Sequence, residues 1–342
     1  MRRYLYFITK AYSISVCQAL RAEIQRSGKG ESLAYIPNSL EKYSSQLGDY
    51  TTSIKEAIQF KPEIVFVPGN VVHDKIPGLK VQVFHGLCEE KGGHYKITGF
   101  FDLCCTSGPL ITRKFQTLAE RYHYFNVMET GWPKVDLILE PVVRDEIIAK
   151  YGLKAEHKII LYAPTFSPKF KSSQKLLPQL KSLVKPNETW IIKFHDLMPL
   201  ADKRQFQELN SEQIIIWDDP DSIPLLQVAD LLISDTSSIV YEFILLDKPV
   251  ITIDARIRLE KGINLTDLAQ LRAAIDRSLA QPDEFGSGRR AVLQEIQPYN
   301  DRQNAARVIA AAESVLASNA SRDLKRKPLN LYRKFQVRKD YH

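Results

Sequence analysis

Short apolar runs rich in β-branched and aromatic residues alternate along this chain with longer stretches whose apolar positions recur every three or four residues. In the first half the runs are YLYFIT, SLAYI, EIVFVPG, VQVFHG, FDLCCTS and FNVMETG. In the second half they are KIILYAPT, TWIIKFH, IIIWDD, DLLISD and PVITID. Runs of this length read as buried strands, and stretches such as SVCQALRAEIQRSG and GPLITRKFQTLAERY read as helices between them. Strict alternation predicts βαβ units, hence parallel sheets covered by helices on both faces. The pattern restarts near residue 157, after a segment punctuated by Gly131, Pro133, Pro141 and Gly152. The expected fold class is therefore α/β, with two doubly wound parallel-sheet (Rossmann-like) domains, residues 1–150 and 151–318, facing a cleft. Beyond about residue 265 the pattern turns mainly helical, including NAARVIAAAESVLAS, and residues 319–342 form a basic tail or helix.

Composition keeps the chain in the globular class: of 342 residues, 44% are hydrophobic and 25% charged. No apolar run approaches the roughly 20 residues that cross a bilayer. The opening MRRYLYFITK reads as a first strand, since it lacks the long apolar core and small-residue cleavage site of a signal peptide. Cys17, Cys88, Cys104 and Cys105 form no C-x-x-C pair and read as buried thiols of a reducing compartment, which points to the cytoplasm.

Charge changes the picture at one place. The net charge is +7, yet residues 322–342 hold eight Lys and Arg against two Asp, leaving about +1 for the rest. With Tyr332, Phe335 and Tyr341 interleaved, this tail suits an anionic membrane surface or another polyanion. The plainer reading is a solvated terminal helix packed on the body. Nucleic acid is not expected as a partner, because the body lacks a basic surface signal and any nucleic-acid-binding module.

In open α/β sheets ligands bind beyond the carboxyl ends of the strands, and that is where the polar residues fall. His85 and Gly86 follow VQVF, Thr165 follows IILYAP, His195 and Asp196 follow WIIKF, and Asp218 and Asp219 follow IIIW. Asp235, Thr236, Ser237 and Ser238 follow LLIS and precede the helical stretch IVYEFILL. Hydroxyls and free N–H groups at a helix start attract anions, so this last group reads as a phosphate or pyrophosphate seat. A simple helix cap, from Thr236 or from Ser238 with Glu242, is the competing reading, but five consecutive polar residues exceed what a cap needs. An imidazole can take a hydroxyl proton or, when charged, steady a phosphate. Histidines at strand ends in both halves, His85 and His195, therefore suggest a cleft lined from both sides; His73, His94 and His123 carry weaker claims. Asp218 and Asp219 could contact ribose hydroxyls or a divalent metal, or form an Asp-Pro turn with Asp221 capping the next helix. No P-loop, dinucleotide glycine fingerprint, H-E-x-x-H or Cys/His cluster is present, and no cofactor is called for.

Taken in order, FHG, FDLCCTSGPLITRKF, GWPKVD, LYAPTF, KFHD and ADLLISDTSSIVYEFILLDKP resemble the CDP-glycerol glycerophosphotransferase family of teichoic-acid and capsule synthesis, over about residues 80–255. The resemblance implies a GT-B fold and a membrane-associated enzyme on the inner face of the cell membrane. It implies transfer of an alditol phosphate from a CDP-linked donor to a hydroxyl on a glycan or lipid-linked acceptor, with CMP released. By motif, His85 takes the place of the acceptor-side general base and His195 that of the histidine at the donor pyrophosphate. Ser237 and Ser238 match the paired serines that hold donor phosphate. The candidate phosphate-binding set is thus Gly86, Thr165, Asp235, Thr236, Ser237, Ser238 and Glu242, with residues 1–150 on the acceptor side and 151–318 on the donor side.

Several positions depart from the family pattern. Leu87 and Cys88 replace Thr-Pro, Ser167 stands where an arginine is usual, Asp196 replaces a proline, Thr236 a tyrosine and Glu242 an aspartate. Lys169 or Lys171 could supply the missing charge. These departures keep two alternatives open: a UDP-sugar-dependent glycosyltransferase or epimerase on the same fold, and a non-catalytic polyanion-binding protein.

Overall fold

The computed structural model describes residues 1–87, 95–318 and 324–341, so the readings placed on Cys88, His94, Arg322 and His342 lie outside the described residues. All eleven stretches predicted as strands form strands. In the first half they are β1 (Arg2–Phe7), β2 (Gly30–Tyr35), β4 (Ile64–Val67), β5 (Leu79–Gln82), β6 (Leu103–Thr106) and β7 (Asn126–Glu129), joined by the short β3 (Tyr50–Thr51). In the second they are β8 (Lys158–Ala163), β9 (Glu188–Lys193), β10 (Ile214–Trp217), β11 (Leu231–Ser234) and β12 (Val250–Ile253), joined by β13 (Ile263–Leu265).

The strands make two sheets, ordered β3-β2-β1-β4-β5-β6-β7 and β10-β9-β8-β11-β12-β13. Every pairing among the described residues is parallel. Each order runs outward in one direction and then restarts on the other side of its first strand, the doubly wound topology. The switch points fall between β1 and β4 and between β8 and β11. Helices on both faces leave the central strands without solvent contact: Tyr4, Leu5, Ile64, Val65, Ile159–Leu161 and Leu231–Ile233 are all 0% exposed.

The chain divides into two compact units, residues 1–137 with 295–342, and residues 138–294. The sequence reading runs its second domain on to residue 318; the contacts instead return the chain to the first unit at Glu295. That return is fastened by polar contacts. The Asp136 carboxylate accepts from the N–H groups of Asn304 (3.0 Å) and Ala305 (2.8 Å), capping the helix Asn304–Ser318. Tyr4 Oη donates to Glu313 at 2.6 Å on the same helix.

The basic C-terminal stretch also packs on the first unit. Its helix Leu331–Asp340 buries Val337, Tyr341 lies edge-on to Phe7 with centroids 5.7 Å apart, and Arg338 pairs with Asp74 at 2.6 Å. Lys327 pairs with Asp102 at 2.6 Å. Cys17, Cys104 and Cys105 are free, buried thiols.

Candidate functional site

In the first unit, three loops at the carboxyl ends of adjacent strands β1, β4 and β5 meet around His85. After β1 the chain supplies Tyr12, whose ring lies 5.3 Å from the imidazole, tilted by 44°. After β4 it supplies Pro68, whose carbonyl oxygen lies 3.2 Å from His85 Nδ1. A carbonyl can only accept, so Nδ1 carries the proton and the lone pair of the neutral ring sits on Nε2. That is the tautomer of a general base acting through Nε2. His85 is half-buried, and Gly86 beside it is buried. Sequence reasoning did not single out Tyr12 or Pro68, because their proximity to His85 exists only once β1, β4 and β5 are paired.

In the second unit, the loops after β8, β11 and β12 emerge side by side at the switch point. Asp235 organises the first two. Its Oδ1 accepts from the Thr165 N–H (2.8 Å) and its Oδ2 from the N–H and hydroxyl of Ser172 (2.8 Å each). Charge-assisted bonds of this kind are strong when buried, and Asp235 is 2% exposed and Thr165 0%. Tyr162 Oη adds a contact to the Ser172 hydroxyl at 2.9 Å, and burial, with Asp235 nearby, pushes its phenol well up. Thr236 and Glu242 are buried as well. These four residues therefore build the floor of the loop.

Ser237 and Ser238 differ from them. Both are half-exposed, and Ser238 occupies the N-cap position of the helix Ile239–Ile244 without a side-chain capping bond. The capping reading thus does not account for either hydroxyl. With only 6 residues the helix contributes little dipole, which leaves hydroxyls and backbone N–H groups as the polar features of this loop.

His195 follows β9 and is half-buried, its ring 4.4 Å from that of Phe166 in the loop after β8. Its Nδ1 accepts the N–H of Leu197 at 3.1 Å. The proton of the neutral ring therefore sits on Nε2, the reverse of His85, and Nε2–H is a donor suited to a phosphate oxygen. Of the lysines considered as charge partners, Lys171 pairs with Asp202 at 2.7 Å. Lys169 instead lies 5.3 Å from the centre of the Phe170 ring, and Arg256, from the loop after β12, lies 5.9 Å from the same ring. Arg256 was not legible beforehand, since only sheet order brings the β12 loop next to the β11 loop.

Asp218 and Asp219 follow β10, which lies three strand positions from β11, roughly 14 Å at the usual strand spacing. Asp219 Oδ1 accepts from the Asp221 N–H (2.8 Å), and Asp221 Oδ1 from the Ile223 N–H (3.0 Å), at the start of the next helix. This is the Asp-Pro turn with Asp221 capping the next helix, the alternative to a ligand role. Among the described residues no group of three or more His, Cys, Asp or Glu is placed to hold a metal ion. His73 and His157 are buried, His157 with Nδ1 3.0 Å from Thr189 Oγ1, and His123 ends the helix Pro109–Tyr122.

Residues 96–257 match the family model for CDP-Glycerol:Poly(glycerophosphate) glycerophosphotransferase, a segment that holds His195, Ser237 and Ser238 and begins after His85. Among curated proteins, the chain is 40% identical over 116 residues to a teichoic acid glycerol-phosphate primase of Bacillus spizizenii, covering 31% of this chain and 28% of that protein. It is 26% identical over 148 residues to a teichoic acid poly(ribitol-phosphate) polymerase of the same organism, covering 37% and 22%. The matches thus span less than a third of these relatives' length. Among solved structures, the wall teichoic acid polymerase TagF superposes with a TM-score of 0.68 at 14% identity, covering 92% of this chain and 90% of that one. A putative UDP-N-acetylglucosamine 2-epimerase from Listeria monocytogenes superposes at 0.64 with 16% identity, covering 92% and 97%. These likenesses give the fold as GT-B. The stretch matched by the family model, residues 96–257, contains five of the six ordered motifs read in the sequence, all but FHG.

Proposed function

We propose that the protein transfers an alditol phosphate, glycerol phosphate in the first instance, from a CDP-linked donor to a hydroxyl of a glycan or lipid-linked acceptor in teichoic-acid or capsule synthesis. The observation that carries this reading is the opposite tautomers of the two histidines, fixed by Pro68 O on one and the Leu197 N–H on the other. His85 Nε2 has the lone pair that takes a hydroxyl proton. His195 Nε2–H has the proton that steadies a phosphate oxygen. In the reaction the acceptor oxygen attacks the β-phosphorus, forming a new P–O bond. The bond from that phosphorus to the oxygen bridging it to CMP breaks, and the acceptor proton passes to His85. Ser237 and Ser238 hold the pyrophosphate through neutral hydrogen bonds, and Lys169 and Arg256 add the positive charge that Ser167 does not supply. Phosphoryl transfer depends on this positioning and charge stabilisation more than on covalent help.

The same proposal places the protein on the inner surface of the membrane. No described helix is long and apolar enough to cross one, but Leu329, Leu331, Tyr332 and Phe335 are 66–75% exposed on the basic C-terminal stretch. Exposed apolar and aromatic side chains amid Lys and Arg suit an anionic lipid surface.

Calorimetry with CMP and CDP against UMP and UDP tests the donor assignment. Cytidine nucleotides should bind preferentially, and Ser237→Ala/Ser238→Ala should abolish the preference. Uridine preference would move the protein to the nucleotide-sugar class, and no binding of either would favour a non-catalytic polyanion binder.

A further inference from the structure

Phe84 is buried and has a φ of 56°. A bulky side chain in this left-handed region is strained and persists only where its surroundings hold it there. The residue before it, just past the end of β5, still bonds to the neighbouring strand, the Val83 N–H donating to Val67 O at 3.0 Å. The residue after it is His85. The reversal at Phe84 is therefore what turns the chain out of the ladder and brings the imidazole to Pro68.

Two contacts hold this conformation. The Phe84 ring lies edge-on to Phe115, centroids 5.0 Å apart. Its carbonyl accepts the indole Nε1–H of Trp132 at 3.3 Å. Trp132 is 2% exposed and is itself fastened: its N–H donates to Gln297 Oε1 at 2.9 Å. Gln297 Nε2 donates to Asn304 Oδ1 at 3.0 Å, and Asn304 Nδ2 to Asp136 Oδ1 at 2.6 Å. One apolar pocket is lined by Phe84, Gly86 and Trp132 together, so the indole borders the loop that carries His85. A buried indole N–H usually finds an acceptor. Here the acceptor is the carbonyl of the strained residue.

We infer that Trp132 is a positioning residue for His85. Its indole N–H holds the Phe84 carbonyl, which keeps the left-handed turn, the contact of His85 Nδ1 with Pro68 and so the lone pair on Nε2. The inference rests on the reading of His85 as the base, and deepens it.

Trp132→Phe keeps an aromatic ring and removes the donor. In this variant the ring ¹⁵N signals of His85 should shift from the Nδ1–H tautomer toward the other. CMP release from CDP-glycerol should fall at least about tenfold in kcat, with KM for the donor within about twofold, as expected of a misplaced base. A purely packing role would lower the melting temperature and leave tautomer and kcat alone, which would overturn the inference. A second measurement needs no variant. The protein has three tryptophans, so its indole N–H spectrum is simple. The Trp132 signal should move with pH in step with the His85 imidazole; a signal indifferent to that titration would also overturn the inference. Neither spectroscopic readout needs donor or turnover. Absence of CMP release in the wild type would therefore count against the transferase reading and leave the role of Trp132 to be decided by the spectra.

Discussion

Backbone partners on Nδ1 decide what each histidine can do. His85 faces a carbonyl and His195 an N–H, so one ring offers a lone pair and the other a proton at Nε2. Removing the base should be costly: His85→Ala is expected to lose about 10²–10⁴-fold in kcat, read as CMP release, and a variant keeping more than about a tenth of wild-type turnover would contradict the assignment. For His195→Ala the donor should bind more weakly as well as react more slowly. Lys248, in the LLDKP that closes the same motif, has a structural task. It sits at the amino end of β12 and donates to the carbonyls of Leu226 (3.0 Å) and Gln227 (2.5 Å). Burial pushes its ammonium down from 10.5 to about 8. Between those values the unfolded chain binds a proton that the folded chain does not, so this group makes stability rise with pH across the window. In urea melts, wild type should therefore gain on Lys248→Met as pH goes from 8 to 10; a constant difference would contradict it. The sequence showed which residue types stand at the strand ends, since strand ends follow from pattern. It could not show Pro68, Tyr12 or Leu197 setting the tautomers, because those contacts come from pairing and from loop geometry.

At the scale of elements, the segment from Asp230 to Lys248 divides by strand polarity. At the amino end of β11, Asp230 accepts from the Ile159 N–H (2.8 Å) and from Arg144 (3.1 Å), binding strands and helices together. At the carboxyl end, Asp235 ties down the Thr165–Ser172 loop, while Ser237 and Ser238 stay half-exposed. A similar division runs through GWPKVD, where Gly131 (φ 79°) and Asp136 serve the packing of the returning helix. A Cβ on Gly131 would lie 1.7 Å from Asn304 Oδ1. Gly131→Ala is therefore expected to cost at least about 1–3 kcal/mol in denaturant unfolding, and an unchanged midpoint would contradict this account of the motif. The pattern of the sequence identified every strand except β3 and β13, which have 2 and 3 residues. Strands that short hold too few side chains for any periodicity, and their pairing comes from the edges they join.

On the whole-molecule scale, the return of the chain to the first unit was the least legible feature. It depends on Gln297 and Asn304 meeting Trp132 and Asp136, more than 150 positions earlier in the chain, a pairing that no local pattern signals. The tail illustrates the same point. Sequence offered a packed helix or a membrane contact as competing readings, whereas the structure packs the helix on the first unit through Val337, Arg338 and Tyr341 and leaves Tyr332 and Phe335 outward. If these outward rings enter lipid, Tyr332→Ser/Phe335→Ser should sharply reduce sedimentation with anionic vesicles while nucleotide binding is unchanged, since burial of each ring is worth roughly 1.5–3 kcal/mol. Undiminished sedimentation would remove the membrane role from this surface.

CMP release separates the proposed transfer from its alternatives. Wild-type protein incubated with CDP-glycerol and a membrane or glycan acceptor fraction should release CMP, His85→Ala should release it at least about a hundredfold more slowly, and UDP-N-acetylglucosamine in place of the donor should give no UDP. Turnover of the UDP-sugar, or CMP release indifferent to loss of the imidazole, would contradict the account.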